Sequence, residues 1–432
     1  MNGKSNALRR FLAPLVVFLL GLIGFGLVSG DRLLNHSRDN HYVYLADSML
    51  HGRLHLEGKP PHRNDWAKYG DKWYVSFPPA PGVLMIPGVA VFGLDFNDRL
   101  FTLFFAAAGP ALLLLLMQLL VAQQRLDRRP RELFALAILY GFGTVYFFSA
   151  VQGSVWYTAH MVGGVLILLY AIFALEAKRP FLAGLCLGLA AACRPTLLMA
   201  FPFFIYEALD TKPAEGEESG FLTWLRHALP QLKSRAFLGR MALFVLPVIA
   251  VLIGLMAMNW IRFDDPFEFG HKYLQIRWQN RIARWGLFNF HYLARNLTVA
   301  LALLPWISSE APYIRISLHG LALWFTTPVL LSVLWPKKRT VLYTVLAITV
   351  FALALPNLLY QNSGWIQFGY RFALDFMVFL FLMLALAGRR QGALFFALSA
   401  FALAVNLFGA MTFDRHWEYY PAVSTQTYFE PD

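Results

Sequence analysis

Charged side chains are scarce in this sequence. Only 14% of its 432 residues are charged, whereas 58% are apolar and 16% are aromatic. Soluble globular domains contain about 25% charged residues. The composition therefore excludes an ordinary soluble protein. The apolar residues come in runs of helix-spanning length, which predicts an all-α polytopic membrane protein.

Cysteine is nearly absent. The two cysteines, Cys186 and Cys193, lie seven residues apart in one apolar run. On a helix this spacing is a rise of about 10 Å, which is too far for a disulfide. The two cysteines therefore report nothing about the redox state of the compartment.

Acidic residues are also few, with 25 Asp and Glu against 37 Lys and Arg, for a net charge of +12. Lys and Arg accumulate in the cytoplasmic loops of membrane proteins. No basic folded domain stands apart from the apolar runs, so a nucleic-acid partner is not expected.

Apolar runs near 20 residues predict about eleven transmembrane helices. The first run begins like a signal peptide, but its apolar core is long and no small-residue cleavage site follows, so we interpret it as a retained span. The predicted spans are 11–29, 98–122, 133–151, 160–176, 241–260, 318–335, 341–358, 373–387 and 392–410, with a short pair at 181–193 and 196–208.

The segment 77–93 decides the predicted orientation. It is apolar but short, and it contains four prolines. If it only dips into the outer face, every compact basic junction becomes cytoplasmic, as the positive-inside rule requires. We therefore predict a plasma-membrane protein with a cytoplasmic N-terminus and an extracytoplasmic C-terminus. The basic junctions are 125–131, 178–179, 335–340 and 388–390.

One transmembrane domain over 1–432 follows from this arrangement. The first extracytoplasmic loop, 30–97, is long and predicted to carry amphipathic helices. A second extracytoplasmic loop at 261–317 is basic and amphipathic, and the tail 411–432 lies on the same face. The polar loop 209–240 is predicted to be cytoplasmic.

Asp39 stands out in the first loop. Apolar positions recur at three and four residues after Ser37, which predicts a helix from about Asp39 to Gly52. Asp39 could serve simply as the N-cap, or it could be a carboxylate held at the membrane surface as a catalytic base, with Asn40 and His41 beside it as substrate contacts. Asp31 is the alternative candidate.

Five of the eleven histidines lie in this loop, which raises the possibility of a metal site. His51 and His55 have the i,i+4 spacing of zinc ligands, but Gly52 falls between them and no Glu follows the first His. The loop 152–160 offers one histidine, His160, and no carboxylate. We therefore expect no metal and no other cofactor.

The loop 261–317 is unusually basic for the outer face. We predict a helix in the headgroup plane whose apolar stripe includes Leu274 and Trp285. Its cations could anchor the chain to anionic lipid, or they could hold the phosphate of a lipid substrate. These cations are Lys272, Arg277, Arg281 and Arg284.

Arg371 lies at the start of a predicted span, with Asp375 one turn later. The two could form a plain i,i+4 ion pair. Ionisable groups at membrane depth are more often functional, however. Arg194, at the turn of the short pair, is a similar case.

These motifs together resemble the GT-C superfamily of membrane glycosyltransferases. The resemblance rests on Asp39 in a long first loop, "FPPAPG" at 77–82, "AACRP" at 191–195 and "FGYR" ending at Arg371. It is strongest over about residues 1–210. The pattern is most similar to enzymes that use polyprenyl-phosphate sugars, such as protein O-mannosyltransferases and the lipid A aminoarabinose transferase.

The resemblance implies roles for particular residues. Asp39 would activate or position the acceptor, and Arg371 would contact the donor phosphate. Family members often have Asp-Glu where this chain has Asp39 and Asn40, and many have an acid where His160 is the titratable group here. A metal-dependent mechanism is correspondingly not expected.

The expected activity is transfer of a sugar from a polyprenyl-phosphate-linked donor to an extracytoplasmic glycan, lipid or protein. Membrane lipids are the other expected partners. A flippase for a lipid-linked glycan would share the arginines and a groove, but we find no convincing internal repeat. A non-catalytic envelope scaffold is the third possibility.

Overall fold

The structure is a computed structural model, and it describes residues 2–62, 64–210, 220–276 and 278–421. These residues are mainly helical. The α-helices are α1 (Asn2–Ser29), α2 (His41–Leu50), α3 (Ala80–Phe92), α4 (Asp98–Ala122), α5 (Pro130–Phe142), α6 (Tyr146–Ala150), α7 (Ser154–Ala174), α8 (Pro180–Ala191), α9 (Phe201–Ala208), α10 (Phe221–Gln231), α11 (Arg235–Phe263), α12 (Gln279–Trp285), α13 (Leu293–Leu301), α14 (Leu323–Thr326), α15 (Val341–Leu358), α16 (Leu374–Leu386) and α17 (Ala393–Thr412).

Only four short strands occur in the described part of the chain. They are β1 (Trp66–Tyr69), β2 (Lys72–Val75), β3 (Trp306–Ile307) and β4 (Ile314–Arg315). Strand β1 pairs antiparallel with β2, and β3 pairs antiparallel with β4. The predicted all-α class is therefore confirmed.

Six helical segments in the described residues are long and apolar enough to cross a membrane, so the chain is a multi-pass membrane protein. They are Phe11–Leu34, Asp98–Ala122, Ser154–Ala177, Arg235–Phe263, Val341–Leu358 and Ala393–Thr412. Each overlaps a predicted span. The predicted total of about eleven spans is not confirmed.

The remaining predicted spans are shorter or broken. The run 133–151 divides into α5 and α6, and 318–335 contains only α14 followed by a 3₁₀ segment, Pro328–Leu334. Proline at the start of that segment has no N–H to continue the preceding helix. Helix α3 has 13 residues, about 20 Å, which is less than a bilayer core and agrees with the predicted dip of 77–93.

The bundle packs α1 on α4, α4 on α7, α7 on α8 and α8 on α11. Helices α8 and α11 approach closely because α8 has Gly184 at the contact. A Cβ at this position would lie 1.9 Å from the Phe244 carbonyl oxygen. Small residues allow such backbone contact between membrane helices, where close packing replaces the hydrophobic effect as the driving force.

Three of the basic junctions lie together at one end of the bundle. The Lys337 N–H donates to the Ala387 carbonyl at 2.9 Å. Arg389 Nε donates to the Trp335 carbonyl, and Arg128 Nη1 donates to the Arg389 carbonyl, both at 2.6 Å. The expectation that these junctions share one side is therefore supported, while the side itself stays a prediction.

The first loop folds over the opposite end of the bundle. Helix α2 packs on α3, and the β1–β2 hairpin covers α2. Its small core includes Tyr42, Leu45, Trp66, Val75 and Met85, each no more than 1% exposed. This rigid cover holds one wall of the candidate site.

Candidate functional site

A cavity of about 490 Å³ lies at the end of the bundle that carries the first loop. Its walls come from the first loop, the amino ends of α4 and α7, the carboxyl end of α15, and the segments that follow α8, α11 and α17 or precede α16. A volume of this size is typical of ligand sites. Asp39 and Arg371 both line this cavity, so the structure brings the two predicted residues to one site.

Asp39 is positioned by a buried carboxylate from another element. Asp98, at the start of α4, accepts hydrogen bonds from Ser37 N at 2.6 Å and from Ser37 Oγ at 2.5 Å. It also accepts one from Ser154 N at 3.1 Å. The next residue, Val155, donates its N–H to the Asp39 carbonyl at 2.9 Å. Asp39 is therefore fixed between the first turns of α4 and α7.

The Asp39 side chain does not cap α2. The N-cap is Asn40, and its side chain makes no capping bond either. Asn64 Nδ2 donates to Asp39 Oδ1 at 2.9 Å, and His62 Nε2 lies 3.6 Å from the same oxygen. No described residue donates to the second oxygen, Oδ2. The interpretation as an N-cap was therefore wrong.

Asn40 and His41, predicted as substrate contacts, lie behind the cavity wall. His41 stacks on Trp66 with ring centroids 3.9 Å apart, and its Nε2–H donates to the Asn64 carbonyl at 2.8 Å. Burial lowers the pKa of His41 to about 4, so its ring is neutral. His41 supports the segment that holds Asp39, and it does not reach a ligand in the cavity.

Arg371 is a buried cation with no acidic partner. Its Nη1 donates to the Ile366 carbonyl at 2.8 Å, and its backbone N–H donates to Gln367 Oε1 at 2.9 Å. The guanidinium lies over Tyr157, 5.3 Å from the ring centroid. Among the described residues, no carboxylate is within 4 Å of it. Its charge therefore has no neutralising ion pair.

The predicted alternative of an Arg371–Asp375 ion pair was wrong. Asp375 pairs with Arg194, and it also accepts hydrogen bonds from Thr196 Oγ1 at 2.7 Å and Asn357 Nδ2 at 2.9 Å. Arg194 lines the cavity as well. Asp375 therefore holds Arg194 in place and leaves Arg371 unpaired.

Arg194 and Arg371 lie against the same aromatic ring, that of Phe372. The guanidinium carbons of Arg194 and Arg371 are 5.1 Å and 5.6 Å from the ring centroid of Phe372. Two planar cations therefore contact one side chain, and both line the cavity. Such a pair is suited to an oxyanion with several oxygens, such as a phosphate.

His160, another predicted substrate contact, is buried and does not line the cavity. Its Nδ1 lies 3.3 Å from Asp375 Oδ1. It therefore belongs to the support of Arg194.

The predicted surface helix around Leu274 was wrong in extent. Helix α12 covers only Gln279–Trp285, and Leu274 forms an antiparallel bridge with Ala67 in β1. Backbone pairing with the hairpin thus replaces the helical turn there. Gly286, with φ of 75°, ends the helix.

Among the described residues, Lys272, Arg281 and Arg284 of this loop do not line the cavity. Lys272 pairs with Glu268 at 2.7 Å, and Arg281 is buried with Nη1 donating to the Gln361 carbonyl at 3.3 Å. Arg284 is exposed and lies over Trp285. Arg277 lies outside the described residues. The structure therefore separates the described members of this group from the site.

Asp65 is one of the cavity residues that the sequence did not reveal. It lines the cavity, and its Oδ2 accepts a hydrogen bond from Trp156 Nε1 at 3.0 Å. Its φ is 54°, in the left-handed region that Asn and Asp tolerate better than other residues. The only sequence signal for this conformation was the pair Asn64 and Asp65, because Asn and Asp favour turns.

A second group of arginines, also missed, lies at the cavity. Arg99 Nη1 donates to the Arg32 carbonyl at 3.0 Å, and Arg32 pairs with Asp414 at 2.5 Å. Arg38, beside Asp39, is exposed. All four residues line the cavity. The candidate Asp31 is exposed and does not line it.

Within the described parts of the chain, no three His, Cys, Asp or Glu residues are grouped so that they could hold a metal ion. The cavity offers Asp39 and Asp65 as carboxylates near one another. The expectation of a metal-independent site stays a prediction.

The chain is similar to three solved structures. ArnT from Cupriavidus metallidurans, solved bound to undecaprenyl phosphate, is 12% identical, with a TM-score of 0.49 over 93% of this chain and 63% of ArnT. The oligosaccharyltransferase of Archaeoglobus fulgidus in the apo form is 16% identical, with a TM-score of 0.39 over 95% and 57%. AglB from the same organism, in complex with an inhibitory peptide and a dolichol-phosphate, is 14% identical, with a TM-score of 0.40 over 94% and 56%.

The three TM-scores are all below 0.5, so the resemblance of the sequence motifs to the GT-C superfamily stays an expectation. This chain spans between 56% and 63% of the length of the three proteins. No protein-family model and no curated protein sequence matches the chain. Identities of 12% to 16% leave the activity of this chain to be argued from its own residues.

Proposed function

We propose that this chain transfers a glycosyl group from a polyprenyl-phosphate-linked donor to an acceptor hydroxyl or amine at the membrane surface. Asp39 acts as the base, and Arg371 with Arg194 binds the donor phosphate. No metal takes part in this mechanism.

A single observation carries the proposal. Asp39 comes from the first loop and Arg371 from the turn just before α16, yet both face one cavity, and Arg371 has no acidic partner among the described residues. A buried cation left without a counterion is costly in a protein of low dielectric constant. A bound phosphate would supply the missing charge.

The proposed reaction is a direct displacement. The acceptor oxygen or nitrogen bonds to the anomeric carbon as the bond from that carbon to the phosphate oxygen breaks. The electron pair goes to the phosphate, and the acceptor proton goes to Asp39, the general base. Unless a proton reaches the leaving oxygen, the phosphate gains a negative charge in this step. Fixed arginines stabilise that developing charge more than the ground state.

The cavity has apolar surface for the rest of the donor. Phe77, Pro78, Pro195, Phe269 and Ile276 line it together with the charged groups. This mixture suits an amphiphilic ligand whose phosphate meets the arginines while its isoprenoid tail contacts apolar side chains and lipid.

The proposed site lies on the extracytoplasmic face of the plasma membrane. The support is the clustering of basic junctions at the end of the bundle opposite to the cavity. Under the positive-inside rule that end is cytoplasmic. Cysteine-accessibility labelling of residues in the first loop of intact cells tests this orientation.

The test of function is sugar transfer in membranes that contain the wild type or a variant. A panel of radiolabelled polyprenyl-phosphate sugars serves as donor, with total membrane acceptors. We expect Asp39→Asn to reduce kcat by about 10²–10⁴-fold, the usual contribution of a general base. We expect Arg371→Ala to reduce kcat/KM for the donor by about 10²–10³-fold, as for loss of one oxyanion ligand.

Two matched variants control for loss of charge alone. Asp31→Asn removes an exposed acid of the same region, and Arg284→Ala removes an exposed arginine that does not line the cavity. Both should transfer like the wild type. Full activity of Asp39→Asn, or equal loss in Arg284→Ala and Arg371→Ala, contradicts the proposed roles. Transport of donor across vesicles without any transfer would favour the flippase alternative.

A further inference from the structure

Asp65 is a second carboxylate in the cavity, and its surroundings differ from those of Asp39. Trp156 Nε1 donates to Asp65 Oδ2 at 3.0 Å. No described residue donates a hydrogen bond to the other oxygen, Oδ1. Trp156 lies in the first turn of α7, which is also the element that holds the Asp39 backbone. The two acids are therefore held by one helix end and one loop.

The backbone fixes Asp65 as firmly as its side chain does. The residue before it, Asn64, donates to Asp39 through its amide and accepts from His41 through its carbonyl. The residue after it, Trp66, begins β1 and is 1% exposed. Asp65 itself adopts a left-handed conformation between these anchors. This rigid placement brings its carboxyl into the cavity rather than into bulk water.

The charged and titratable groups that interact with Asp65 are Asp39, His62, Arg371 and Tyr360. Burial and the negative charge of Asp39 raise the pKa of Asp65, whereas the Trp156 hydrogen bond, Arg371 and His62 lower it. The net result is a pKa of about 6. A bound phosphodiester would add negative charge nearby and raise this pKa further.

The geometry points to Asp65 as the general acid of the transfer reaction, donating a proton to the phosphate oxygen that leaves the sugar. This inference rests on the function proposed above. It assigns the two carboxylates of the cavity opposite tasks, with Asp39 accepting a proton and Asp65 providing one.

The proton balance is complete. As the bond between the anomeric carbon and the phosphate oxygen breaks, the proton of Asp65 moves to the phosphate, which leaves as a monoanion rather than a dianion. The acceptor proton moves to Asp39. Exchange with solvent then returns the proton from Asp39 to Asp65 before the next cycle. The second ionisation of a phosphate monoester has a pKa of about 6, which matches an acid such as Asp65.

The first experiment is a pH profile of kcat/KM for the donor with wild type and Asp65→Asn in native membranes. The wild type should lose about tenfold in kcat/KM per pH unit above the pKa of Asp65, because only the protonated form is productive. Asp65→Asn keeps an acceptor for Trp156 but cannot supply a proton. We expect a loss of about 10²–10⁴-fold in kcat, little change in donor KM, and no alkaline decline.

His62→Gln is the matched control, because His62 also interacts with Asp65. This variant should retain the alkaline decline. Trp156→Phe provides an independent test if the Asp65→Asn protein is present in the membranes at a low level. Loss of the Trp156 donor raises the pKa of Asp65, so the decline should shift to higher pH while transfer persists.

The outcomes separate the two proposals. Transfer by the wild type with an unchanged alkaline decline in Asp65→Asn, or with no shift in Trp156→Phe, overturns the acid role of Asp65 and leaves the transferase proposal standing. Absence of transfer by the wild type from every donor overturns the proposed function, and the acid role with it.

Discussion

Arg194 and Asp375 form a bidentate ion pair, with Arg194 Nε 2.7 Å from Asp375 Oδ1 and Nη2 2.9 Å from Oδ2. The pair joins the end of α8 to the first turn of α16. The Asp375 side chain is 1% exposed, and that of Arg194 is 17% exposed. Because of this contact Arg194 has a counterion, whereas Arg371 has none among the described residues.

Removal of one partner should strongly destabilise the protein. Asp375→Asn leaves Arg194 buried without its counterion, and the expected loss in free energy of unfolding is roughly 3–5 kcal/mol. Thermal unfolding of the purified variant in detergent measures the effect. Glu57→Gln, which breaks the exposed Arg53–Glu57 pair, is the control and should change stability by no more than about 0.5 kcal/mol. A similar small change in both variants contradicts a buried ion pair.

Asp98 should matter both for stability and for transfer. Asp98→Asn weakens three hydrogen bonds to Ser37 and Ser154, and buried bonds to a charged group contribute about 1.5–3 kcal/mol each. We expect a loss of at least about 2 kcal/mol in stability and a lower kcat, because Asp39 follows Ser37 by two residues. The exposed Asp95→Asn is the matched control. Normal kcat in a folded Asp98→Asn protein argues against positioning of Asp39 by Asp98.

Stability should fall as the pH is lowered from 6.5 towards 4 because of His41. Its pKa is about 4 in the folded protein and about 6.5 when unfolded, so the unfolded chain binds more protons in this window. The stabilisation is complete above pH 6.5 and decreases by about 1.4 kcal/mol per pH unit below it. Unfolding temperatures of wild type and His41→Gln between pH 7 and pH 5 measure this.

The His41→Gln variant should show a smaller slope with pH, since Gln can still donate to the Asn64 carbonyl but does not titrate. His51→Gln, at an exposed position of the same loop, should leave the slope as in the wild type. Equal slopes in wild type and His41→Gln contradict a neutral, buried His41.

The membrane class and the longest spans could be predicted from the sequence because they depend on local composition. A run such as 341–358 is apolar enough to exclude water wherever it lies, and the helix bounds agree with it. The prediction of a span at 318–335 was wrong because hydropathy depends on composition alone and does not reveal the irregular backbone before Pro328. The prediction of a helix at Leu274 was wrong because the backbone there pairs with Ala67, which is distant in sequence.

The sequence by itself determined that this chain lies in a membrane and that Asp39 and Arg371 emerge at the ends of apolar runs. Only the tertiary structure decided that both face one cavity, that Asp375 is paired with Arg194, and that Asp65 joins them. The physical reason is that charge pairing and burial depend on which helix ends meet in space. Hydropathy and local spacing do not reveal which helix ends are in contact.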